Sequence, residues 1–400
     1  MRKRIAPLRK FIEQESSSGI IILIASALGL LVANSPLQTG YQNLLDFDIT
    51  IDRGFLILHL TILKVINYVL MTIFFFVVGL EIKREMTSGH LANFKDAITP
   101  IIAAIGGMAI PAVIYLAIAG RSNPEGWGVP VATDIALAVG LLTILGKSVA
   151  PSLRSFLLGL AVIDDIGAIL IIAFIYSNGI GLGWTLGALI LVILIELLKR
   201  LRIHFVSIYV VLGIILWYLL YRSGMHPTIS GVILGLLAPN MPKDSHFANS
   251  KKYSEDTVIE WLEEKIHPWS TFLIVPLFAF ANTGVVISLE SLKSVFESSI
   301  AWGVFFGLVI GKPLGVVLTV YGANRIKLGA IPKGTTFSGL VGTGGAAGIG
   351  FTVAIFIAHL AFEDRHNQDT AIIAIIAASV VSGLLSSAFF KFGMRRKSVQ

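Results

Sequence analysis

The chain has no cysteine and few charges: Asp, Glu, Lys and Arg make up 14% of its 400 residues. Without cysteine there is no disulfide framework, no thiolate metal site and no thiol nucleophile. Soluble domains carry about 25% charged residues. At 14% charged, 55% hydrophobic and a mean hydropathy of +0.83, the chain reads as an integral membrane protein. A cofactor fold is missing too. Gly342-x-Gly344-x-x-Ala347, with Asp364 beyond, imitates a dinucleotide fingerprint. That fingerprint needs a preceding strand and a soluble βαβ unit, and the surrounding pattern offers neither, so no cofactor is expected.

What the chain does have is a succession of long apolar runs. Twelve lie near residues 18–34, 62–82, 97–119, 127–145, 153–176, 182–199, 205–221, 226–238, 270–287, 300–322, 336–362 and 370–391. We read them as twelve transmembrane helices of a single polytopic domain spanning 1–400. The basic N-terminus and the apolar stretch from Gly19 to Val32 resemble a signal peptide. Ala25-Ser-Ala27 lies inside the run rather than after it, so an uncleaved first helix is expected. The net charge of +7 does not call for nucleic acid, because the basic residues are asymmetric. Of the 31, Arg53, Arg121, Arg222, Lys293 and Arg365 fall on one side, Lys64 and Lys312 lie within segments, and the other 24 fall on the opposite side. The positive-inside rule then places both termini in the cytoplasm. Two pieces lie outside the bilayer: an exposed β-hairpin at about 46–58 and a cytoplasmic loop at about 239–268.

Two apolar segments are interrupted. The fourth begins Gly128-Val-Pro-Val-Ala-Thr-Asp134, and the eleventh carries Gly342-Thr-Gly-Gly-Ala-Ala-Gly-Ile-Gly350. Proline removes a backbone donor and dense glycine loosens a helix. Unwound backbone at membrane depth survives only when buried in protein or lining a cavity. If segments 3–5 and 10–12 are inverted three-helix repeats, each broken helix is the middle member of its unit.

Four ionisable residues lie deep in segments: Asp134, Asp164, Asp165 and Lys312. Each costs about 2.5–3.5 kcal/mol at the centre of a membrane helix, which marks them as functional. Adjacent helical residues point about 100° apart. One aspartate, either of the two by this geometry, can therefore face Lys312 while its neighbour faces a cavity. We expect Asp164 to partner the lysine and Asp165 to be the open cation ligand. Asp134 and Thr133 follow the Pro130 break, where carboxylate, hydroxyl and freed carbonyl oxygens suit a hard cation such as Na⁺ or Li⁺. Asp134 also suits a facing pair of helix N-termini, and Lys312 a facing pair of C-termini. Carboxylates that take either Na⁺ or H⁺ couple the two by competition. Two protons released per Na⁺ would move net charge. Glu81, Arg84 and Glu85 share one helix face at the cytoplasmic end of segment two and read as a pH-sensing funnel. His226 and Glu263 are further pH-sensing candidates.

On these residues the chain resembles the NhaA family of bacterial sodium–proton antiporters. The resemblance rests on Phe75-Phe-Val-Val-Gly-Leu-Glu-Ile-Lys-Arg-Glu85, Ile101-Ile-Ala-Ala-Ile-Gly-Gly-Met108, Ala132-Thr-Asp-Ile-Ala136 and Ile163-Asp-Asp-Ile-Gly-Ala-Ile169. His267-Pro-Trp269, Pro276-Leu-Phe-Ala-Phe-Ala-Asn282, Gly311-Lys-Pro-Leu-Gly315 and Gly348-Ile-Gly-Phe-Thr352 add to it. The family is itself a known case of inverted repeats, so that symmetry is not independent support. The resemblance implies twelve helices, two inverted three-helix repeats with two broken helices crossing at mid-membrane, and an exchange site at Asp164 and Asp165 with Asp134, Thr133 and Lys312 around it. It implies alkaline activation through Glu81, Arg84, Glu85 and the loop holding Glu263, and a homodimer formed through the hairpin. Asn67-Tyr68 stands where relatives often carry Asn-Asp, Glu264 stands where a relative has histidine, and Pro227 follows His226. These departures bear on pH dependence.

The expected function is an electrogenic Na⁺(Li⁺)/H⁺ antiporter, not an enzyme, in the lipid bilayer of a bacterial inner membrane. It would regulate internal pH and sodium. The alternative is a sodium-coupled symporter of an organic solute. That function would need further polar recognition groups, and the segments contain few. An intramembrane aspartyl protease would want Tyr-Asp and Gly-x-Gly-Asp, and neither precedes these aspartates.

Overall fold

The computed structural model describes residues 15–54, 57–89, 91–177, 181–201, 206–239, 258–332 and 334–395. The basic N-terminus, most of the 239–268 loop and the basic residues Arg396 and Lys397 lie outside the described residues. By internal contacts the chain divides into two compact units. One comprises Met1–Tyr41, His90–Ala168 and Ala279–Gln400, and the other Gln42–Gly89 and Ile169–Phe278.

The first unit holds α1 (Glu15–Ala33), and the chain then bends by 114° into the amphipathic α2 (Gln38–Leu45), which runs on into the second unit. The second unit continues with β1 (Asp48–Asp52), β2 (Ile57–Thr61) and α3 (Ile62–Thr87). Back in the first unit, α4 (Phe94–Ala119) leads to a 3-10 segment (Pro124–Val131), α5 (Ile135–Leu145) and α6 (Pro151–Phe174), whose last residues enter the second unit. The second unit then adds α7 (Leu182–Arg200), α8 (Val206–Ser223), α9 (Ile229–Leu237) and α10 (Val258–Trp269). From α11 (Val275–Asn282) the chain returns to the first unit. There follow α12 (Leu289–Glu297), α13 (Ser299–Arg325), α14 (Phe337–Ala347), α15 (Phe351–Ala361) and α16 (Arg365–Arg395). This is an all-α membrane protein, with one hairpin among the described residues. Among the described residues, eight helices are long and apolar enough to cross a bilayer, or ten counting two bent pairs as spans. The structure therefore does not confirm a count of twelve. At nine residues α9 is too short to reach that length alone, and α11 runs on from α10 through a π-helical turn, Ser270–Ile274.

The hairpin is antiparallel, pairing Asp48 with Thr61, Thr50 with His59 and Asp52 with Ile57. Gly54 turns it with φ of 74°, in the left-handed region that glycine enters without strain. Its second strand runs to Thr61, beyond the expected 58. Tyr218 and Tyr221 hydroxyls accept from the Ile57 and His59 amides at 3.3 Å, which ties β2 to α8.

Helices in a bilayer gain little from apolar burial against one another, so close approach through small residues does the work. A Cβ on Gly315 of α13 would stand 2.2 Å from the Gly106 carbonyl oxygen of α4, so these backbones nearly touch. In the second unit, a Cβ on Gly231 would stand 2.1 Å from the Thr72 oxygen, bringing α9 equally close to α3. An apolar cluster fills the first unit, with Ala104 of α4, Leu142 of α5, Leu157 and Leu160 of α6, Val316 of α13 and Phe390 of α16. Before Pro313 the α13 helix widens into a π-helical turn, Gly307–Gly311, in which the Lys312 amide reaches back to the Gly307 carbonyl. Proline has no amide to continue the ladder, and its ring crowds the carbonyl four residues earlier. The widened turn sets the direction from which Lys312 leaves the helix.

Candidate functional site

Both interrupted segments break where expected, and the two breaks are bonded to each other. The 3-10 segment ends at Val131, and the chain runs extended through Ala132 to Asp134 before α5 begins. The second break separates α14 from α15, with a bend of 47°. Phe351 there has φ of 21°, a strained value for a residue with a side chain. The Asp134 amide donates to the Ile349 carbonyl at 2.7 Å, and the Thr133 hydroxyl lies 2.9 Å from the Ala347 carbonyl oxygen. Backbone groups freed by one break thus find partners in the other, which keeps non-helical chain tolerable at this depth.

Asp134 serves two helix starts. Its Oδ1 accepts from the Leu137 amide of α5 at 3.1 Å. Its Oδ2 accepts from the Thr352 amide at 3.1 Å and hydroxyl at 2.5 Å, in the first turn of α15. A carboxylate here faces the positive ends of both helices. These bonds occupy both oxygens, and Asp134 does not reach Asp164 or Lys312.

Lys312, Asp164 and Thr133 form a closed triangle. The Lys312 ammonium donates to Asp164 Oδ2 at 2.6 Å and to Thr133 Oγ1 at 2.9 Å, and Thr133 Oγ1 lies 2.7 Å from Asp164 Oδ2. The hydroxyl has one proton, so it serves either Asp164 or Ala347 at a given moment. Lys312 is 0% exposed and Asp164 1%. Asp164 Oδ1 is buried and accepts no hydrogen bond from a described residue. Asp165, the next residue, is 7% exposed. Among the described residues no three His, Cys, Asp or Glu side chains converge as a metal cluster would require.

The pH-sensing candidates lie in the second unit. Arg84 pairs with Glu263 and lies 3.7 Å from Glu85, while His267 Nε2 lies 3.8 Å from Glu81 Oε1. Burial pushes the Glu263 carboxyl above its ordinary range, and the Arg84 guanidinium opposes that without cancelling it. Burial and the same arginine hold the His267 imidazole below its ordinary range. His226 is apart from this cluster, in the turn before α9. Its Nδ1 is 2.7 Å from Thr228 Oγ1, and its ring meets Tyr68 edge-on at 4.8 Å. Tyr68 thus packs on a candidate sensor.

Sequence reasoning assigned no role to Thr352, the main donor to Asp134. Thr352 had a signal: it opens the second half of the second broken segment, as Asp134 opens that of the first.

Broken helices joined at their breaks, with buried carboxylates and one buried lysine at the junction, define an ion-coupled membrane carrier. A family model described as Na⁺/H⁺ antiporter 1 matches residues 9–390. The Na(+)/H(+) antiporter NhaA 2 of Clostridium beijerinckii is 40% identical over 393 residues, covering 98% of this chain and 95% of that protein. The NhaA antiporter of Escherichia coli is 39% identical over 396 residues, covering 97% and 98%. In fold the chain is similar to the sodium proton antiporter MjNhaP1 of Methanocaldococcus jannaschii, with a TM-score of 0.54 at 14% identity, covering 93% of this chain and 90% of that one. The chain belongs to the NhaA-type Na⁺/H⁺ antiporter family.

Proposed function

We propose that the chain, a Na⁺/H⁺ antiporter, exports Na⁺ or Li⁺ in exchange for H⁺ across a bacterial inner membrane, with both termini cytoplasmic. The carrying observation is the split environment of Asp164: Oδ2 is held by Lys312 and Thr133, while the buried Oδ1 accepts no hydrogen bond from a described residue. Asp164 and Asp165 bind the exchanged ion, with Thr133 contributing neutral oxygen. Na⁺ and H⁺ compete for the same carboxylates, so binding one expels the other. Release of two protons per Na⁺ makes the exchange electrogenic, and the membrane potential then drives export. Of the two roles expected for Asp134 we assign charge compensation, because helix donors occupy both its oxygens. The comparisons give no support to a symporter of an organic solute.

Glu81, Arg84, Glu85 and Glu263, with His267, regulate the carrier by pH. Rising pH takes the proton from Glu263, the added buried charge loosens the cluster, and the carrier activates. His226 acts separately, through its contact with Tyr68. The physiological outcome is control of internal pH and sodium by a homodimer joined through β1 and β2. The test is exchange in everted vesicles. Asp165→Asn is expected to lose Na⁺-induced dissipation of ΔpH, and a wild-type response from that variant would overturn the assignment.

A further inference from the structure

Asp134 meets the N-terminus of α5, but α5 has no basic residue of its own in its last turn. The carbonyls that end a helix lack partners within it and carry the negative end of its dipole. Arg154, in the first turn of α6, supplies both the donors and the charge. Its Nη2 donates to the Leu142 carbonyl at 3.2 Å and to the Gly146 carbonyl at 2.8 Å. The chain reverses between them through Gly146, whose φ of 54° lies in the left-handed region. At the other end of α5, Thr133 Oγ1 lies 2.7 Å from Asp164 Oδ2 of α6.

The two links join opposite ends of the same helix pair. From Asp134 to Leu145 an α-helix rises about 16 Å, and from Arg154 to Asp164 about 15 Å. The pairings of Leu142 with Arg154 and of Thr133 with Asp164 run in opposite chain directions, so the pair is antiparallel and its links sit at matched heights. Sliding α5 along α6 would break both at once. Thr133 lies on unwound backbone, so the placement of its hydroxyl depends on where α5 is held.

We propose that Arg154 is a positioning residue for ion binding: it clamps the end of α5 to α6 and thereby holds Thr133 against Asp164. The proposal rests on Thr133 and Asp164 belonging to the ion site. Arg154 itself stands about ten helical residues from Asp164 and touches no transported ion.

The experiment measures the apparent KM for Na⁺ and the maximal rate in everted vesicles. It uses wild type, Arg154→Gln, Arg154→Lys, Thr133→Ala and the double variant Thr133→Ala/Arg154→Gln. Arg154→Gln is expected to raise KM about tenfold, the scale of one hydrogen bond to a charged group, with the rate per folded molecule nearly unchanged. Arg154→Lys keeps the charge but not the two-carbonyl reach, and should recover part of the loss. In the Thr133→Ala background, Arg154→Gln should add little, because the group it positions is already gone. Full additivity in the double variant, or an unchanged KM with a reduced rate, overturns the proposal. If Arg154→Gln does not fold, Arg154→Lys in both backgrounds carries the same comparison. An unchanged KM for Thr133→Ala alone would overturn the site reading instead, so the two failures are distinguishable.

Discussion

The pair of Lys312 and Asp164 gives the most stringent test of the site. Both side chains are 0% exposed and bonded at 2.6 Å. Removing one partner of a buried pair costs about 3–5 kcal/mol, because a charge stays behind without compensation. The stranded group has an escape that caps this cost. An ordinary aspartate takes up a proton at pH 7 for about 4.2 kcal/mol, and an ordinary lysine loses one for about 4.6 kcal/mol, at about 1.36 kcal/mol per pH unit. Lys312→Met and Asp164→Asn should therefore each lose about 3–4 kcal/mol. The double variant leaves no buried charge and should lose only about 1 kcal/mol, the usual net worth of a hydrogen bond. The coupling energy is then several kcal/mol. The two penalties must also depend oppositely on pH. In Lys312→Met the lone carboxylate is easier to neutralise in acid, so the deficit shrinks as pH falls. In Asp164→Asn the lone ammonium is easier to neutralise in base, so the deficit shrinks as pH rises. Unfolding free energies of the four proteins in mixed detergent micelles, at three pH values, measure all of this. Additivity within about 0.5 kcal/mol, or deficits with the same pH slope, would refute the argument that the pair is mutually compensating and buried.

Two further predictions concern packing and pH. Gly315→Ala places a methyl group 2.2 Å from the Gly106 carbonyl oxygen, a backbone atom that cannot rotate away, and should cost about 1–3 kcal/mol. Gly322→Ala on the same helix meets nothing within 4 Å and should gain about 0.5–1 kcal/mol; equal effects in thermal unfolding would show that α4 and α13 are not in close contact. For Glu263, burial raises the carboxyl above its ordinary value. The stability it contributes is full below that ordinary value and is lost as pH rises through the raised one. Glu263→Gln mimics the protonated form, so its melting temperature should hold across that window while that of wild type declines. Parallel curves would remove Glu263 from the set of sensors.

The legible parts of this molecule are those written in local chemistry. Length of apolar run placed the helices, Pro130 and the glycines after 342 placed the breaks, and the cost of charge in a membrane picked out Asp134, Asp164, Asp165 and Lys312. The angular divergence of neighbouring helical residues was enough to separate Asp164 from Asp165 as directions, and Asp164 is the one that meets Lys312. The illegible parts depend on residues distant in sequence. Thr352 reaches Asp134 across 218 positions, and no period or spacing links the two. The π-helical turn before Lys312 has a local cause in Pro313, yet its closeness to α4 depends on Gly311 meeting Pro111. Charge counting sees Arg154 only as one more basic residue of a cytoplasmic loop, because it weighs loops and ignores helix ends. Its neighbour α5 has an acid at its start and no base in its last turn. A half-helix needs its dipole met at both ends. That requirement applies to an amino-acid sequence by itself: where a broken helix lacks its own terminal charge, the search moves to the first turn of the next helix, and here it lands on Arg154.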